Sequence, residues 1–562
     1  LNVQTVGAVG KNLTITNVSN GADNIIKVDN DLNAKGSIQI TNQEADIDVA
    51  QGTSMSGASV TLTATDDNVL VNGGEITAIT GDVAFVAGKD VTVNAGAITA
   101  AENVAMQAAS NVTMNNGTVK ATNGDVSITA TEGAVTMNNG SIEALAGNVV
   151  AQAATNVTMN NGSITTKKVD VIAAQLLVND GTINATDVEA NNAIALAGGT
   201  VNFAKVVAGA AMTISGATVN TGAGDGLVQA ASITMSKGQV HGSDLTVTAS
   251  GDYKQSGGSI ATTGALKLNS DNATINGGAI SANDASITIQ KDFAFSGDKL
   301  NVNNELKIDA SNATINGGEV SAKSAVANVV DFTQSAGDFK VSGALDINAS
   351  NDVLLSNGSM QVGSADIDAS NDFTMQNNMQ VSGDSIDIAA QQVALNGGNI
   401  KAQTQNNNGE LKVVAGATYA QNGTAINADS ADIKAGAGIA LTKGSLTAKE
   451  AALSITVGGS ISEAANGFVL DVDALSATAI NGNIALDSKS NRLVNVNVYT
   501  NVGDITIGSA NGKDAQALTV TTGSDVVKGA LSITNYSDGS GSLNEIKVAG
   551  KLQTTGAISI VN

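Results

Sequence analysis

The sequence predicts an all-β fold, a right-handed parallel β-helix (solenoid) with three short strands per coil and about 20 residues per coil. A turn rich in Gly and Asn recurs at that interval, and the runs between turns alternate apolar with polar residues. The composition agrees, because the chain has no Pro, Cys or Trp and only 2% of its residues are aromatic. An ordinary globular core draws much of its packing from large aromatic side chains.

The turns are evenly spaced over most of the chain. From Gly74 to Gly444 there are 18 intervals, with a mean of about 20.6 and a range of 17 to 25. The segments Asn111–Gly117 and Asn156–Gly162 both read NVTMNNG. Gly and Asn adopt the left-handed conformations of tight corners at little cost, whereas Pro would remove a hydrogen-bond donor from the ladder. The spacing therefore predicts about 27 stacked coils.

A single coil shows the three strands. Val157 and Met159 alternate before the turn, Ile164 follows it, and Val169 and Val171 form the third piece. Residues at i and i+2 face the same side of a strand, so each piece directs its apolar side chains inward. Parallel crossovers are right-handed in nearly all cases, which predicts the hand of the coil.

Aromatic residues recur in alternate coils at the start of one predicted strand. Their spacings are 40, 39 and 41, and Ala or Val takes the same place in the intervening coils: Tyr253, Ala273, Phe293, Ala313, Phe332, Val353, Phe373, Val393. Large and small side chains in alternation fill a column without voids or overpacking. We interpret this column as core rather than as a binding stripe. Asn115, Asn138 and Asn160 hold equivalent corners, which predicts a ladder of stacked amides.

The two ends of the sequence carry copies of one element. Leu13–Asn42 returns as Leu531–Asn562, and Leu1–Lys11 resembles Leu518–Lys528. This repetition predicts one module of a longer array, and the alternative is that both ends converge on similar coils. The expected domains are irregular opening coils at 1–60 (repeated in 518–562), a regular solenoid at 61–450, less regular coils at 451–517, and the start of a next module at 518–562.

Charge and hydropathy exclude several classes of function. The net charge is −24, and the basic patches with interleaved aromatics that bind nucleic acid are missing, so no nucleic-acid partner is expected. No run of 18 apolar residues occurs, so no membrane insertion is expected within this segment. The chain starts at Leu1 without a signal peptide, which predicts a processed form or a segment of a longer product. Lack of Cys is compatible with export, and we expect an extracellular or cell-surface location.

Residues suited to catalysis are scarce. His241 is the only imidazole, and HGSD at 241–244 is interpreted as a solvated turn; no GxxxxGK[ST] phosphate loop occurs. Paired carboxylates could cleave a glycosidic bond, but the acids that follow Gly, and three others, are spread along the chain rather than gathered in one place: Asp82, Asp125, Asp252, Asp298, Asp338, Asp384, Asp504, Asp366, Asp368 and Asp387. We predict no enzyme, with no catalytic, cofactor-binding or metal-binding residues.

Calcium is the one cofactor left open. Aligned Asp residues repel one another unless cations bridge them, and Ca²⁺ accepts oxygen ligands readily. The GGxGxD nonapeptide of calcium-binding β-rolls is absent. We therefore predict no cofactor, with Ca²⁺ as the alternative.

The repeating sequence pattern of the chain resembles that of the β-helical shafts of filamentous haemagglutinin-type adhesins and autotransporter passengers. An example is Asn111–Gly133, which reads NVTMNNGTVKATNGDVSITATEG. The resemblance implies a right-handed parallel β-helix, export to the cell surface, and adhesion or matrix building. The leading hypothesis is a structural module of an extracellular bacterial fibre or long surface adhesin. Its partner would be itself, as head-to-tail modules or subunits, with surface glycans or neighbouring cells as further partners. The alternatives are a β-helical glycan-cleaving enzyme and an inert stalk presenting a toxin or receptor-binding tip.

Overall fold

The computed structural model describes residues 1–3, 7–19, 21, 23–406, 408–510, 517–522, 526–536 and 545–562. Within these ranges all regular secondary structure is β-strand, and no helix is present. Strands about 21 residues apart pair in parallel to form a β-solenoid, so the predicted fold class is confirmed. The right-handed coiling stays a prediction from the crossover rule.

The chain divides into two compact units, Leu1–Asn283 and Asp284–Asn562. The division into opening, regular and less regular coils at 1–60, 61–450, 451–517 and 518–562 stays a prediction. The described strands of the first unit are Asn2–Val3, Leu13–Asn17, Ile26–Val28, Leu32–Asn33, Ile38–Asn42, Ile47–Val49, Ser54–Gly57, Val60–Ala64, Val69–Asn72, Glu75–Ala78, Val83–Ala87, Val91–Asn94, Ala97–Ala100, Val104–Ala108, Val112–Asn115, Thr118–Ala121, Val126–Ala130, Val135–Ala144, Val149–Ala153, Asn156–Thr166, Lys168–Ile172, Gln175–Val178, Thr182–Asn184, Asp187–Ala190, Ala193–Leu196, Thr200–Asn202, Lys205–Ala208, Ala211–Ile214, Thr218–Asn220, Asp225–Ala230, Ser232–Met235, Gln239–Gly242, Asp244–Ala249, Asp252–Thr262, Ala265–Ser270 and Asn272–Ala282.

In the second unit many strands run through a corner without a break, so individual strands are longer. They are Asp284–Ile289, Asp292–Phe295, Lys299–Val302, Glu305–Ala322, Ser324–Ala349, Val353–Leu355, Ser359–Ala369, Asp372–Gly383, Ser385–Ala402, Glu410–Ala428, Ser430–Ala435, Gly438–Ile455, Ile461–Glu463, Phe468–Ala479, Ile484–Leu486, Arg492–Thr500, Ile505–Ser509, Leu518–Thr521, Leu531–Asn535, Ile546–Val548 and Ile558–Val561.

Each regular turn contributes one strand to each of three parallel ladders. The turn that starts at Val60 has its three strands paired, in order, with the three strands of the turn that starts at Val83. The two units together contain about 24 turns. One ladder stacks 14 described strands in the first unit, from Asn2–Val3 to Asn272–Ala282, and 13 in the second, from Asp292–Phe295 to Ile558–Val561, in agreement with the expected number of about 27 stacked coils. The terminal turns are longer than the average repeat, as the pairing of Leu13 with Ile38 and of Leu531 with Ile558 shows. Equivalent Asn side chains in these turns are separated by 25 positions in the first case and by 27 in the second.

The predicted aromatic column is core. Phe293, Phe332 and Phe373 are at most 1% exposed, and strand pairing places Ala313 and Val353 between them. The Phe332 ring also meets Phe339 edge-on, with ring centroids 6.4 Å apart and an interplanar angle of 84°. The other predicted aromatic member, Tyr253 in the first unit, is equally buried. The alternation continues further than the sequence predicted, because the buried Tyr419 follows Val393 in the same ladder.

Gly at the corners is needed for two different physical reasons. Gly162 has a φ of 114°, a conformation that side chains rarely adopt. In earlier turns the residue before the Gly takes the left-handed conformation, as Asn116 does with a φ of 54°. There the Gly is needed for close approach, since a Cβ on Gly117 would lie 2.7 Å from Cγ1 of Val93.

Candidate functional surfaces

A continuous ladder of side-chain amides follows one corner of the first unit. Each Asn donates from Nδ2 to the Oδ1 of the equivalent residue one turn earlier, over distances of 2.6 to 2.9 Å. The members, in order, are Asp48, Asn72, Asn94, Asn115, Asn138, Asn160 and Asn179. The predicted stacking of Asn115, Asn138 and Asn160 is confirmed. Amides engaged in this way stabilise the stack.

Several Asp residues that follow Gly serve the backbone of the neighbouring turn. Oδ1 of Asp82 accepts the backbone N–H of Asn103 at 2.9 Å, and Oδ1 of Asp125 accepts that of Asn148 at 2.7 Å. In the second unit Oδ1 of Asp504 accepts the backbone N–H of Ala530 at 2.8 Å. These contacts give Asp82, Asp125 and Asp504 a structural role at the start of strands, which the sequence did not predict. The signal that could have found it is the recurrence of Asp or Asn at the repeat interval.

A row of acids runs along the outer face of the second unit. Asp346, Asp366 and Asp387 are direct neighbours in one parallel ladder, and Lys412 follows and forms an ion pair with Asp387. Partial desolvation beside the neighbouring turns, followed by the charges of Asp368, Asp387 and Asp346, raises the pKa of Asp366 above its usual value, although its side chain is exposed. Among the residues that the structure describes, no group of three or more His, Cys, Asp or Glu side chains is arranged to hold a metal ion.

His241 lies in the strand Gln239–Gly242, so the expectation that it forms part of a turn was wrong. Its backbone belongs to a regular ladder, because Asn220 and Ala261 flank it in the turns on either side. The ring is half-buried, and Nε2 lies 2.9 Å from Oε1 of Gln239. His241 is therefore an outward-facing strand residue whose ring packs beside the side-chain amide of Gln239.

A buried carboxyl group inside the second unit is the least expected titratable group. Glu463 is 8% exposed, and its Oε2 accepts hydrogen bonds from the backbone N–H of Ser488 at 3.1 Å and from Nδ2 of Asn491 at 2.8 Å. Oε1 is buried without a hydrogen-bond partner among the described residues. Burial raises the pKa of Glu463 to about 7, although the hydrogen bonds from Asn491 and Ser488 oppose the change. The inward position follows from alternation, since Ile461 two residues earlier is also buried.

The two terminal copies fold with the same internal strand pairing. In the first copy Leu13–Asn17 pairs with Ile38–Asn42, and in the second Leu531 to Thr534 pair with Ile558 to Val561. The preceding strands match as well, because Asn2–Val3 lies beside Ile26–Val28 just as Leu518–Thr521 lies beside Ile546–Val548.

Smaller contacts are repeated between the copies. An isolated parallel bridge joins Val9 to Ala34 in the first copy and Val527 to Thr554 in the second. Nδ2 of Asn17 donates to Oδ1 of Asn42 at 3.0 Å, and Nδ2 of Asn535 donates to Oδ1 of Asn562 at 2.8 Å. The copies are therefore one structural element as well as one sequence pattern.

Comparison with protein-family models, with curated proteins and with solved structures found no match to this chain. The described part of the chain contains no helical segment that could span a membrane. The fold itself, a β-solenoid, suits a structural stalk.

Proposed function

We propose that this chain is a structural module of an extracellular bacterial fibre or long surface adhesin, and that it is not an enzyme. The observation that carries the proposal is the terminal element, which occurs twice and has the same strand pairing each time. An element that restarts after about one chain length is typical of modules in an array. The modules join head to tail as subunits or lie in one longer polypeptide.

The interior and the surface both support a mechanical role. The stability of a solenoid is close to a sum over turns and their interfaces, so a long stack resists local damage. The amide ladder from Asp48 to Asn179 and the Asp contacts to backbone N–H groups satisfy corner polar groups in successive turns. Asp82 and Asp125 are engaged in these contacts, and the other acids are spread along both units. Adhesion to surface glycans or neighbouring cells would use the outer faces of such a shaft.

The test is to locate the chain on the bacterium that produces it and to measure the native polypeptide. Antibodies against residues 61–450 should label filaments on intact cells in electron microscopy, and the native product should form particles longer than one module. Label confined to the cytoplasm of permeabilised cells would contradict the proposal. Release of new reducing ends from polysaccharides by the purified chain would favour the glycan-cleaving enzyme instead.

A further inference from the structure

We propose that the dipeptide Asn161–Gly162 is a site of spontaneous deamidation, at which the folded corner holds the backbone nitrogen of Gly162 against the side-chain amide of Asn161. The attack of this nitrogen converts the amide to a carboxyl group without any enzyme. The reaction depends on one corner of the first unit alone, whether or not the chain is a module of a fibre.

The corner at Asn161 holds the two reacting groups together. The backbone N–H of Gly162 donates to Oδ1 of Asn161 at 2.7 Å, and Asn161 is exposed to water. Cγ is one bond of about 1.23 Å from that oxygen, so the Gly162 nitrogen lies less than about 4 Å from the carbon that it attacks. The next turn repeats the contact, since the N–H of Gly181 donates to Oδ1 of Asp180 at 2.7 Å. A carboxylate is a poorer electrophile than an amide, so the reaction is expected at Asn161.

Water is the only co-reactant that the chemistry requires. Once a base in solution removes the N–H proton, the Gly162 nitrogen forms a bond to Cγ of Asn161, and the bond from Cγ to Nδ2 breaks. Nδ2 takes up a proton and leaves as ammonia, and the product is a cyclic succinimide. Water then adds to one of the two ring carbonyl carbons and breaks its bond to the ring nitrogen, which regains a proton. Aspartate or isoaspartate remains at position 161, and no group is oxidised or reduced.

The conformation of the corner, and not its sequence, creates this contact. Asn111–Gly117 and Asn156–Gly162 both read NVTMNNG, and the structure describes both segments in full. In the first segment Asn116 takes the left-handed conformation with a φ of 54°, and its backbone N–H donates to the carbonyl oxygen of Asn138 at 2.9 Å. In the second segment the left-handed residue is Gly162 itself, with a φ of 114°. Of these two described segments, only the second has a Gly N–H that donates to the preceding side chain.

Deamidation weakens the stack at this corner. Nδ2 of Asn179 donates to Oδ1 of Asn160 at 2.7 Å, which places positions 161 and 180 in adjacent turns. A carboxylate at position 161 therefore lies one turn from Asp180, and like charges in neighbouring strands repel each other. Isoaspartate also lengthens the backbone where space is lacking, since a Cβ on Gly181 would lie 2.6 Å from the carbonyl oxygen of Gly162.

The test is to age the folded full-length chain in mildly alkaline buffer and to follow each Asn by proteolysis and fragment-ion mass spectrometry. Asn161 should convert at least about tenfold faster than Asn116, which is also exposed and follows the same residues but lacks the contact. A second control is the exposed Asn481, whose following Gly482 donates its N–H to the carbonyl oxygen of Val502 at 2.7 Å. Labelling by an isoaspartyl methyltransferase should detect isoaspartate at position 161, and aspartate alone would overturn the attack by the backbone.

The same measurement in urea separates the fold from the sequence. Asn161 and Asn116 should convert at equal rates in the unfolded chain, because the corner geometry is lost. Equal rates in the folded chain would overturn the proposal, and so would a difference that persists in urea. Hydrogen exchange at residues 157–183 should become faster in the aged natural chain than in N161S aged in the same way, because the variant has no amide to lose at this position. Equal exchange in the two aged chains would overturn the weakening of the stack.

Discussion

Replacing Glu463 by Gln should make the second unit more stable at neutral and alkaline pH. The Gln side chain keeps an oxygen that can accept the hydrogen bonds from Ser488 and Asn491. It also removes the charge from a site that is 8% exposed. The position tolerates an amide, because the buried Gln421 occupies the same place in the ladder two turns earlier.

The magnitude and the pH range follow from the pKa of Glu463, which is about 7 in the fold against an ordinary value of 4.5. One pKa unit corresponds to about 1.4 kcal/mol, so ionisation of the buried group costs about 3 kcal/mol. Below pH 4.5 the carboxyl group is protonated in both the folded and the unfolded chain, so it imposes no such cost on folding. Stability is then lost as the pH rises from about 4.5 to about 7 and stays constant above that range.

The assay is urea unfolding followed by circular dichroism at pH 5 and pH 8, with hydrogen exchange of residues 484–507 to localise the effect. Both values lie above the sequence pI of about 4.2, where the chain is least soluble. The free energy of unfolding of E463Q should exceed that of the natural chain by about 3 kcal/mol at pH 8 and by less than about 1 kcal/mol at pH 5. E450Q removes the same charge from an exposed position in the same unit and should change stability by less than about 0.5 kcal/mol at either pH.

A gain that does not depend on pH would refute this reasoning, because it would mean that Glu463 is not ionising within the fold. A natural chain that is more stable than E463Q at pH 8 would refute it more strongly. That result would show that the ionised carboxyl is stabilised by its hydrogen bonds.

Five further substitutions test the interior and the corners. F332A should lower the free energy of unfolding by about 3–5 kcal/mol and increase hydrogen exchange in the adjacent turns. Protection from hydrogen exchange in the first unit should stay unchanged. A151V should stabilise the fold by up to about 1 kcal/mol, because Ala151 lines an apolar cavity of about 30 Å³. A313V, between Phe293 and Phe332, should destabilise the fold by about 1–3 kcal/mol, and thermal unfolding of each variant should show these opposite changes. N138A breaks the amide ladder on both sides and should cost about 1–2 kcal/mol in urea unfolding, whereas N139G, at a corner with a φ of 57°, should be neutral or slightly stabilising.

Inward and outward positions could be predicted from the sequence because strand periodicity is local. Alternation within three or five residues decides which side chains share a face, so the burial of Phe293, Phe332 and Phe373 followed from spacing alone. The amide ladder was predicted for the same reason, since equivalent corners recur at the repeat interval.

The roles of individual polar groups could not be predicted in this way. The sequence indicates only that Asp82 and Asp504 belong to a set of dispersed acids, whereas each accepts a backbone N–H from a residue more than 20 positions away. The local sequence HGSD predicts a turn at His241, but its neighbours in adjacent turns place it in a strand. In each case the partner lies one turn away, outside any window of local sequence.

The sequence by itself therefore determined the repeat, the three strands per turn and the packing column, because these depend on the alternation and spacing of residues along one strand. Only the tertiary structure decided that one buried oxygen of Glu463 has no hydrogen-bond partner among the described residues, and that the two terminal copies share one pairing pattern. Those properties depend on which residues of the next turn stack above a given side chain. That register is set by the lengths of the corners between strands, and the spacing within a strand does not encode it.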